Sequence, residues 1–277
     1  MTNQNSAPHA ANASLSVVTG GASGIGLACV RRLLERGDRV AVLDLLGQER
    51  NLEGLTGAVS FHPCDVSDAQ QVRSVAESIA RDLGPVRSLV NSAGIIQKPV
   101  SPEELDIDTW DKVVSVDQRG TYVCCVAFGR DMARHGGGNI VNIASIAGSR
   151  SMPLHAYSPA KAAVISISRC LAAEWGRSGV RVNSVSPGYT VTPALQDAID
   201  RGDRDPTNLI QGSALGRMVR PEEIAAAVDF LTSGQASAIT GIDLPVDAGW
   251  LAGTPWATYG GLPPARAAEA PHGSSRQ

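Results

Sequence analysis

The feature that most constrains this chain is a glycine-rich turn between a short apolar strand and a helix. Ser14 to Thr19 reads as a buried strand. Thr19-Gly20-Gly21-Ala22-Ser23-Gly24-Ile25-Gly26 follows, then an amphipathic helix to about Arg36, with Gly37 as its C-cap. Arg39 to Leu43 is a second strand, and it ends on Asp44. Strand, glycine turn, helix, strand and acid in this order form a mononucleotide-binding unit. The glycines let the backbone approach a pyrophosphate, which rests on the helix N-terminus. An acid about 20 residues further on accepts hydrogen bonds from the adenosine ribose. Gly20, Ser23, Gly24, Ile25, Gly26, Asp44 and Leu45 are therefore expected at a bound dinucleotide. The Gly20-x-x-x-Gly24-x-Gly26 spacing differs from the G-x-G-x-x-G form, so the reading rests on its context. The plainer alternatives are an ordinary turn with a helix N-cap, and Asp44 as a loop acid capping the next segment. Asp44 also favours NAD over NADP, because its carboxylate would repel a 2′-phosphate and Ser23 offers no positive charge to receive one. Arg50, the nearest downstream base, is not expected to compensate.

The same alternation continues. Val59 to Pro63 reads as a third strand, followed by Cys64-Asp65-Val66-Ser67. Asp65 can meet the adenine amino group, while Ser67 or Asp68 can cap a helix from about Ala69 to Asp82. Val86 to Val90 leads into Asn91-Ser92-Ala93-Gly94, a turn of small residues. A long helix is expected from about Thr109 to Arg134, then a strand, Asn139 to Ile143, that delivers Ser145. The next helix, which carries Tyr157 and Lys161, continues to about Arg177. A sixth strand, Arg181 to Ser186, ends in Pro187-Gly188-Tyr189-Thr190-Val191-Thr192. Residues 193–217 read as polar and irregular, a mobile lid over a pocket. A helix from Pro221 to about Leu231 and a strand, Ile242 to Val246, close the pattern. The expected fold is α/β, one doubly wound parallel sheet of the Rossmann type with helices on both faces. It fills a single catalytic domain over residues 14–252, between a disordered lead (1–13) and a C-terminal extension (253–277) whose end is disordered. Asp44, Asp65, Asn91, Ser145 and Pro187 all fall at strand ends, on the edge where such sheets bind ligands.

Composition narrows the function. Net charge is −3 with no long basic run, and aromatics make up 4% of the chain, which argues against a nucleic-acid or membrane-surface partner. No apolar run reaches the length of a membrane span, and no signal-peptide pattern opens the chain. The five cysteines form no C-x-x-C pair and no zinc-type cluster. Buried free thiols in a reducing cytoplasm, and no metal, are the expectation.

Tyr157 and Lys161 are four apart, hence one helical turn apart on one face. An ammonium beside a phenol favours the phenolate and lowers its pKa, so that the Tyr can trade a proton near neutral pH. The Ser145 hydroxyl can bond a substrate oxygen. Alone, the Tyr–Lys spacing is equally that of a solvated helix face.

These residues together resemble the short-chain dehydrogenase/reductase family, from about Leu15 to Trp250. The resemblance rests on Thr19-Gly20-x-x-x-Gly24-x-Gly26, Asp65-Val66, Asn91-x-Ala93-Gly94, Ser145 with Tyr157-x-x-x-Lys161, and Pro187-Gly188 with Thr192. It implies that Tyr157 is the general acid/base, that Ser145 holds the substrate oxygen, and that Lys161 bonds the nicotinamide ribose and depresses the Tyr157 pKa. Pro187, Gly188, Thr190 and Thr192 would hold the carboxamide, and a homotetramer would pack through the long fourth and fifth helices. One position departs. Where the family carries Asn as a fourth catalytic member, in Asn-x-x-Gly, this chain has Asp117-Gln118-Arg119-Gly120. If a backbone carbonyl does the work, Asp117 substitutes; if the side chain is needed, Asp117 can pair with Lys161 and weaken its effect on Tyr157.

The implied reaction is hydride transfer between nicotinamide and a small-molecule secondary alcohol or ketone. The NAD preference favours alcohol oxidation as the direction. The pocket would be lined by Ile96, Gln97, Ser145, Ala147, Met152, His155 and Tyr189. Gln97 and His155 suit a polyol, sugar or hydroxy acid. His155 can instead cap the helix or face solvent, and Met152 and Leu154 equally suit a steroid-like or acyl pocket. Two other readings stand beside this one: a 3-oxoacyl-carrier-protein-type or steroid-type ketoreductase, and a non-catalytic NAD-binding sensor. Trp250, Trp256 and Tyr259 can fold over the pocket mouth or a neighbouring subunit, or belong to a disordered extension.

Overall fold

Seven short, β-branched runs become strands: β1 (Leu15–Thr19), β2 (Arg39–Asp44), β3 (Val59–Pro63), β4 (Val86–Asn91), β5 (Gly138–Ile143), β6 (Val180–Pro187) and β7 (Asp243–Val246). A computed structural model describes residues 13–265. All seven strands join one parallel sheet in the order β3-β2-β1-β4-β5-β6-β7. The order reverses at β1 and β4, where Thr19 pairs with Asn91, which opens a crevice at their carboxyl ends.

Both faces of the sheet are covered, which is why the central strands are apolar throughout rather than alternating. On one face lie α1 (Gly24–Glu35) and α8 (Pro221–Thr232), burying Val30, Leu33, Ile224, Val228 and Leu231 against Val18, Val42 and Val90. Arg36 of the α1 end ties the two helices by donating to Asp229 and Thr232. On the other face lie α2 (Ala69–Leu83), α4 (Thr121–Arg134) and α5 (Tyr157–Trp175), with Ile79, Phe128, Met132 and Leu171 packed on Val17, Leu89 and Ile140.

Two expectations change. The long helix is not uniform: α3 (Ile107–Val113) passes into a π turn over Val114–Gly120 before α4 begins. The wider turn places Asp117 and Gly120 on the inner face, and Gly120 packs on Val66. Apolar spacing carries no signal for such a turn. Residues 193–217 are not irregular: they hold α6 (Pro193–Asp200) and α7 (Pro206–Ile210). Each begins at proline in its first turn, behind a side-chain cap from Thr192 or Asp205. The expected disorder of the lead and of the last dozen residues falls on residues 1–12 and 266–277, outside the described residues. Just before that limit, Trp250–Gly253 form α9, and Thr254–Tyr259 a 3₁₀ turn. Among the described residues no helix is long and apolar enough to cross a membrane. Cys29, Cys64, Cys124 and Cys125 are buried thiols, whereas Cys170 is exposed on α5.

Candidate active site

The glycine turn makes a backbone cradle. Gly20 adopts a φ of +61°, and a Cβ there would stand 2.7 Å from Ala93 of the turn after β4. A Cβ on Gly26 would stand 2.0 Å from the Gly20 carbonyl oxygen, so α1 can start this close to the turn only with glycine. Ser23 at the N-cap makes no capping bond, is exposed, and leaves its hydroxyl and the first-turn amides of Gly24, Ile25 and Gly26 free for an anion. At the end of β2, Asp44 accepts from the amides of Ala22 (2.9 Å) and Leu45 (2.8 Å), so it caps the turn as well as facing the crevice. Leu45 is exposed beside it. These residues fit a dinucleotide: a side-chain-free cradle, an uncapped helix N-terminus and a fixed carboxylate at ribose distance along the chain.

The remaining residues expected at a cofactor fall around the same edge with unequal surroundings. Asp65 accepts from the amide and hydroxyl of Ser67, and Asp68 caps α2, which is the capping reading of that segment. Val66 is buried under Gly120. The Asn91 side chain turns away from the crevice: it is buried, donating to Asn142 (2.8 Å) and to Cys125 Sγ. Only its backbone is left to face a cofactor, a correction that follows from the inward direction of its side chain in β4. Thr19 Oγ1 accepts from the amides of Ser92 and Ala93 and ties the two turns together. The Pro187-Gly188 turn packs on Asp247, Thr190 donates to the Gly188 carbonyl, and Thr192 caps α6. A Cβ on Gly24 would come within 3.5 Å of the Thr192 methyl, so the loop after β6 crosses the glycine turn.

At the centre, Ser145 leaves the carboxyl end of β5 and Tyr157 opens α5. Ser145 Oγ accepts from the Ala147 amide and faces the Tyr157 phenol. Lys161 Nζ lies 5.4 Å from the Tyr157 ring centre. It donates to the Ile143 carbonyl (3.1 Å) and pairs with Asp117 Oδ2 (3.1 Å). Asp117 Oδ1 accepts from the Ile95 amide at 2.8 Å, and its carbonyl accepts from Thr121 Oγ1 at 2.7 Å. The lysine and aspartate side chains are 5% and 0% exposed, so this is a buried ion pair.

Lys161 is one of four influences on the phenol, and it acts in the expected downward direction. Burial pushes the Tyr157 phenol up, the Lys161 ammonium pulls it down, the Asp117 carboxylate pushes it up again, and Ser145 pulls it down. The balance lies above an ordinary phenol, although Tyr157 keeps part of its surface open to solvent. Burial alone would push the Lys161 ammonium down; Asp117 and Tyr157 outweigh it and hold the ammonium above the ordinary value.

Gln97 lies under the start of α5. It is buried, and its Oε1 accepts from the amides of Ala156 (2.7 Å) and Tyr157 (3.1 Å). Ala156, the N-cap of α5, has no side chain able to cap. Gln97 Oε1 therefore does that work from 59 residues away in sequence, while its Nε2 is buried without a partner. His155 is half-exposed and lines an apolar groove of about 330 Å³ with Pro102, Leu105, Ile107 and Trp110. Trp110 packs in one cluster with Tyr157 and Ala160, a neighbour the sequence left unassigned. Ile96 is exposed, Ala147 is buried and Met152 half-buried. Tyr189 stands edge-on to Trp250, ring centres 5.8 Å apart, just ahead of the extension.

A family model described as enoyl-(acyl carrier protein) reductase matches residues 20–251. The chain belongs to the short-chain dehydrogenase/reductase family. It is 40% identical over 244 residues to D-threitol dehydrogenase of Mycolicibacterium smegmatis, covering 85% of this chain and 92% of the relative. Galactitol 2-dehydrogenase of Rhizobium johnstonii is 38% identical over 242 residues, covering 85% and 94%. Among solved structures, one described as ribose-5-phosphate isomerase from Brucella melitensis 16M is similar at a TM-score of 0.86 and 48% identity, covering 91% of this chain and 98% of that one. ElxO with NADP bound is similar at a TM-score of 0.83 and 28% identity, covering 87% and 99%. As a member of this family the chain is an oxidoreductase of the dehydrogenase/reductase type acting on CH–OH donors, on the Rossmann-type sheet its sequence pattern implied.

Proposed function

We propose that this chain is an NAD(H)-dependent enzyme that interconverts a secondary alcohol and a ketone, with Tyr157 as general acid/base and a polyol, sugar or hydroxy acid as substrate. One observation carries the reading: Ser145, Tyr157 and a buried Lys161 meet at the carboxyl edge of a parallel sheet, beside a glycine cradle. When bound, the nicotinamide accepts the hydride in oxidation and gives it back in reduction. Tyr157 takes the hydroxyl proton as the carbinol carbon loses hydride, so that alcohol and oxidised cofactor yield ketone, reduced cofactor and one proton. Ser145 Oγ, held by the Ala147 amide, presents its proton to the substrate oxygen. Lys161 carries a further donor for the ribose beyond those used by Ile143 and Asp117. Asp44 supports NAD, since a 2′-phosphate would stand against its carboxylate; the NADP seen in the ElxO neighbour is the reason to measure both.

The relatives named for threitol and galactitol support a hydroxyl-rich substrate, and His155, Tyr189 and Ser145 supply polar groups for one. A second reading, an acyl- or steroid-type ketoreductase, rests on the apolar groove lined by Leu105, Ile107 and Trp110. The deciding experiment follows NADH formation with NAD⁺ or NADP⁺ against polyols, sugars, hydroxy acids and apolar secondary alcohols. Ribose 5-phosphate is included with and without cofactor. Turnover of polyols with NAD⁺, lost in Tyr157→Phe with NADH binding intact, is the expected result. A preference for apolar alcohols favours the second reading, and full activity of Tyr157→Phe overturns the role of Tyr157. Exposed Tyr122 and a groove with Ala163, Ile167 and Cys170 between α4 and α5 support assembly through that face; light scattering is expected to report a tetramer.

A further inference from the structure

We propose that the Asp117 carboxylate is a positioning group that holds and charge-compensates Lys161, so that the lysine meets Tyr157 as half of a neutral pair rather than as a free cation. This rests on the reading of Tyr157 as the proton-transfer group. The π turn brings Asp117 to full burial opposite α5. The carboxylate is held from two sides. Oδ1 takes the Ile95 amide at 2.8 Å, and Oδ2 has no other partner than Lys161 Nζ at 3.1 Å. The space is closed as well: a Cβ on Gly94 would lie 3.0 Å from Asp117 Oδ2 and 3.3 Å from Lys161 Nζ. The pair is thus clamped between the turn after β4 and the end of β5.

The charged and titratable groups that face Tyr157 are Lys161 from its own helix and Asp117 from the π turn, with the neutral Ser145 from the β5 loop. The two charges have opposite signs and lie 3.1 Å apart, so at the phenol the carboxylate offsets part of the pull of the ammonium. A carboxamide at position 117 would keep an acceptor for the Ile95 amide and remove the negative charge, leaving the ammonium to act on the phenol alone. Burial is the largest influence raising the wild-type phenol, and Asp117 adds to it in the same direction.

Two measurements test it. The first is the ultraviolet titration of tyrosinate in the cofactor-free protein, taken as the difference between wild type and Tyr157→Phe; this isolates one of the four tyrosines. Wild-type Tyr157 is expected to ionise above the ordinary phenol value of about 10. Ionisation below that value overturns the proposal without any Asp117 variant, which matters because removing one partner of a buried pair can cost enough to unfold a chain. The second uses Asp117→Asn, in which the tyrosinate titration and the acid limb of kcat for alcohol oxidation are both expected to move down by about one pH unit or more. Coincident profiles for Asp117→Asn and wild type overturn the proposal. Turnover surviving in Tyr157→Phe instead sinks the underlying reading of the site, whatever Asp117→Asn does.

Discussion

Replacing Gln97 by Met keeps the length and flexibility of the side chain and deletes its acceptor. Two amides, those of Ala156 and Tyr157, then lose their partner inside the protein. Each orphaned buried N–H costs about 1–3 kcal/mol. Against this, Gln97 Nε2 is buried without a partner, and its removal recovers about the cost of one such group. The net loss is about 2 kcal/mol, which also matches the upper range for loss of a helix cap. For a chain of this size the melting temperature should fall by roughly 4–8 °C. The catalytic consequence is larger than the thermal one. Tyr157 is the first residue of α5, so the loosened turn is the one that aims the phenol. Misplacement of about 1 Å at a reacting group costs roughly a hundredfold. We expect kcat to fall by about tenfold or more for all substrates, with KM nearly unchanged, and Gln97→Glu, which retains an acceptor, to recover much of the loss. Differential scanning calorimetry and steady-state kinetics on one polyol and one apolar alcohol read both effects. An unaltered melting temperature, with KM raised only for the polyol, would refute the capping role and restore Gln97 as a substrate contact.

Asp44→Ala removes a unit negative charge from the ribose site; at about 4 Å such a charge is worth ~1–4 kcal/mol per opposing charge. The NAD⁺/NADP⁺ ratio of kcat/KM should therefore fall by roughly tenfold or more, and a ratio equal to wild type would remove Asp44 from cofactor choice. Gly26→Ala places a methyl 2.0 Å from the Gly20 carbonyl, forcing the turn open. Calorimetric Kd for NADH should rise at least about tenfold, with about 1–3 kcal/mol of lost stability; wild-type affinity would contradict the cradle. Glu223 is held down to about 2, first by the Arg217 guanidinium and then by the Arg220 amide that it accepts at the start of α8. Its folded value lies below the ordinary 4.5, so its contribution is complete above that value and fades as pH falls through about 2. Glu223→Gln should lose about 0.5–1 kcal/mol at neutral pH, discounted for its partial exposure. In acid-dependent melting curves its gap to wild type should close between those values; a gap independent of pH would count against the linkage.

The strand–turn–helix alternation, the glycine cradle, Asp44 and the Ser145–Tyr157–Lys161 set were all legible in the sequence, because each depends on local chemistry. Glycine spacing, apolar runs and an i,i+4 pair are properties of neighbours along the chain, and a parallel sheet brings every strand end to one edge. What the sequence could not show was which distant group completes each local one. Gln97 looked like a pocket residue until the fold laid it under a helix whose own cap is alanine. Asn91 looked like a cofactor ligand until its side chain was found bonded to Asn142 inside the sheet layer. The sign of the Tyr157 shift depended on burial and on a carboxylate 40 residues upstream, brought within reach by a π turn that leaves no mark on apolar periodicity. The chain's local order determined the sheet and the chemistry available at its edge. Burial and long-range pairing, which exist only once the layers close, decided which charged and polar partners surround that chemistry.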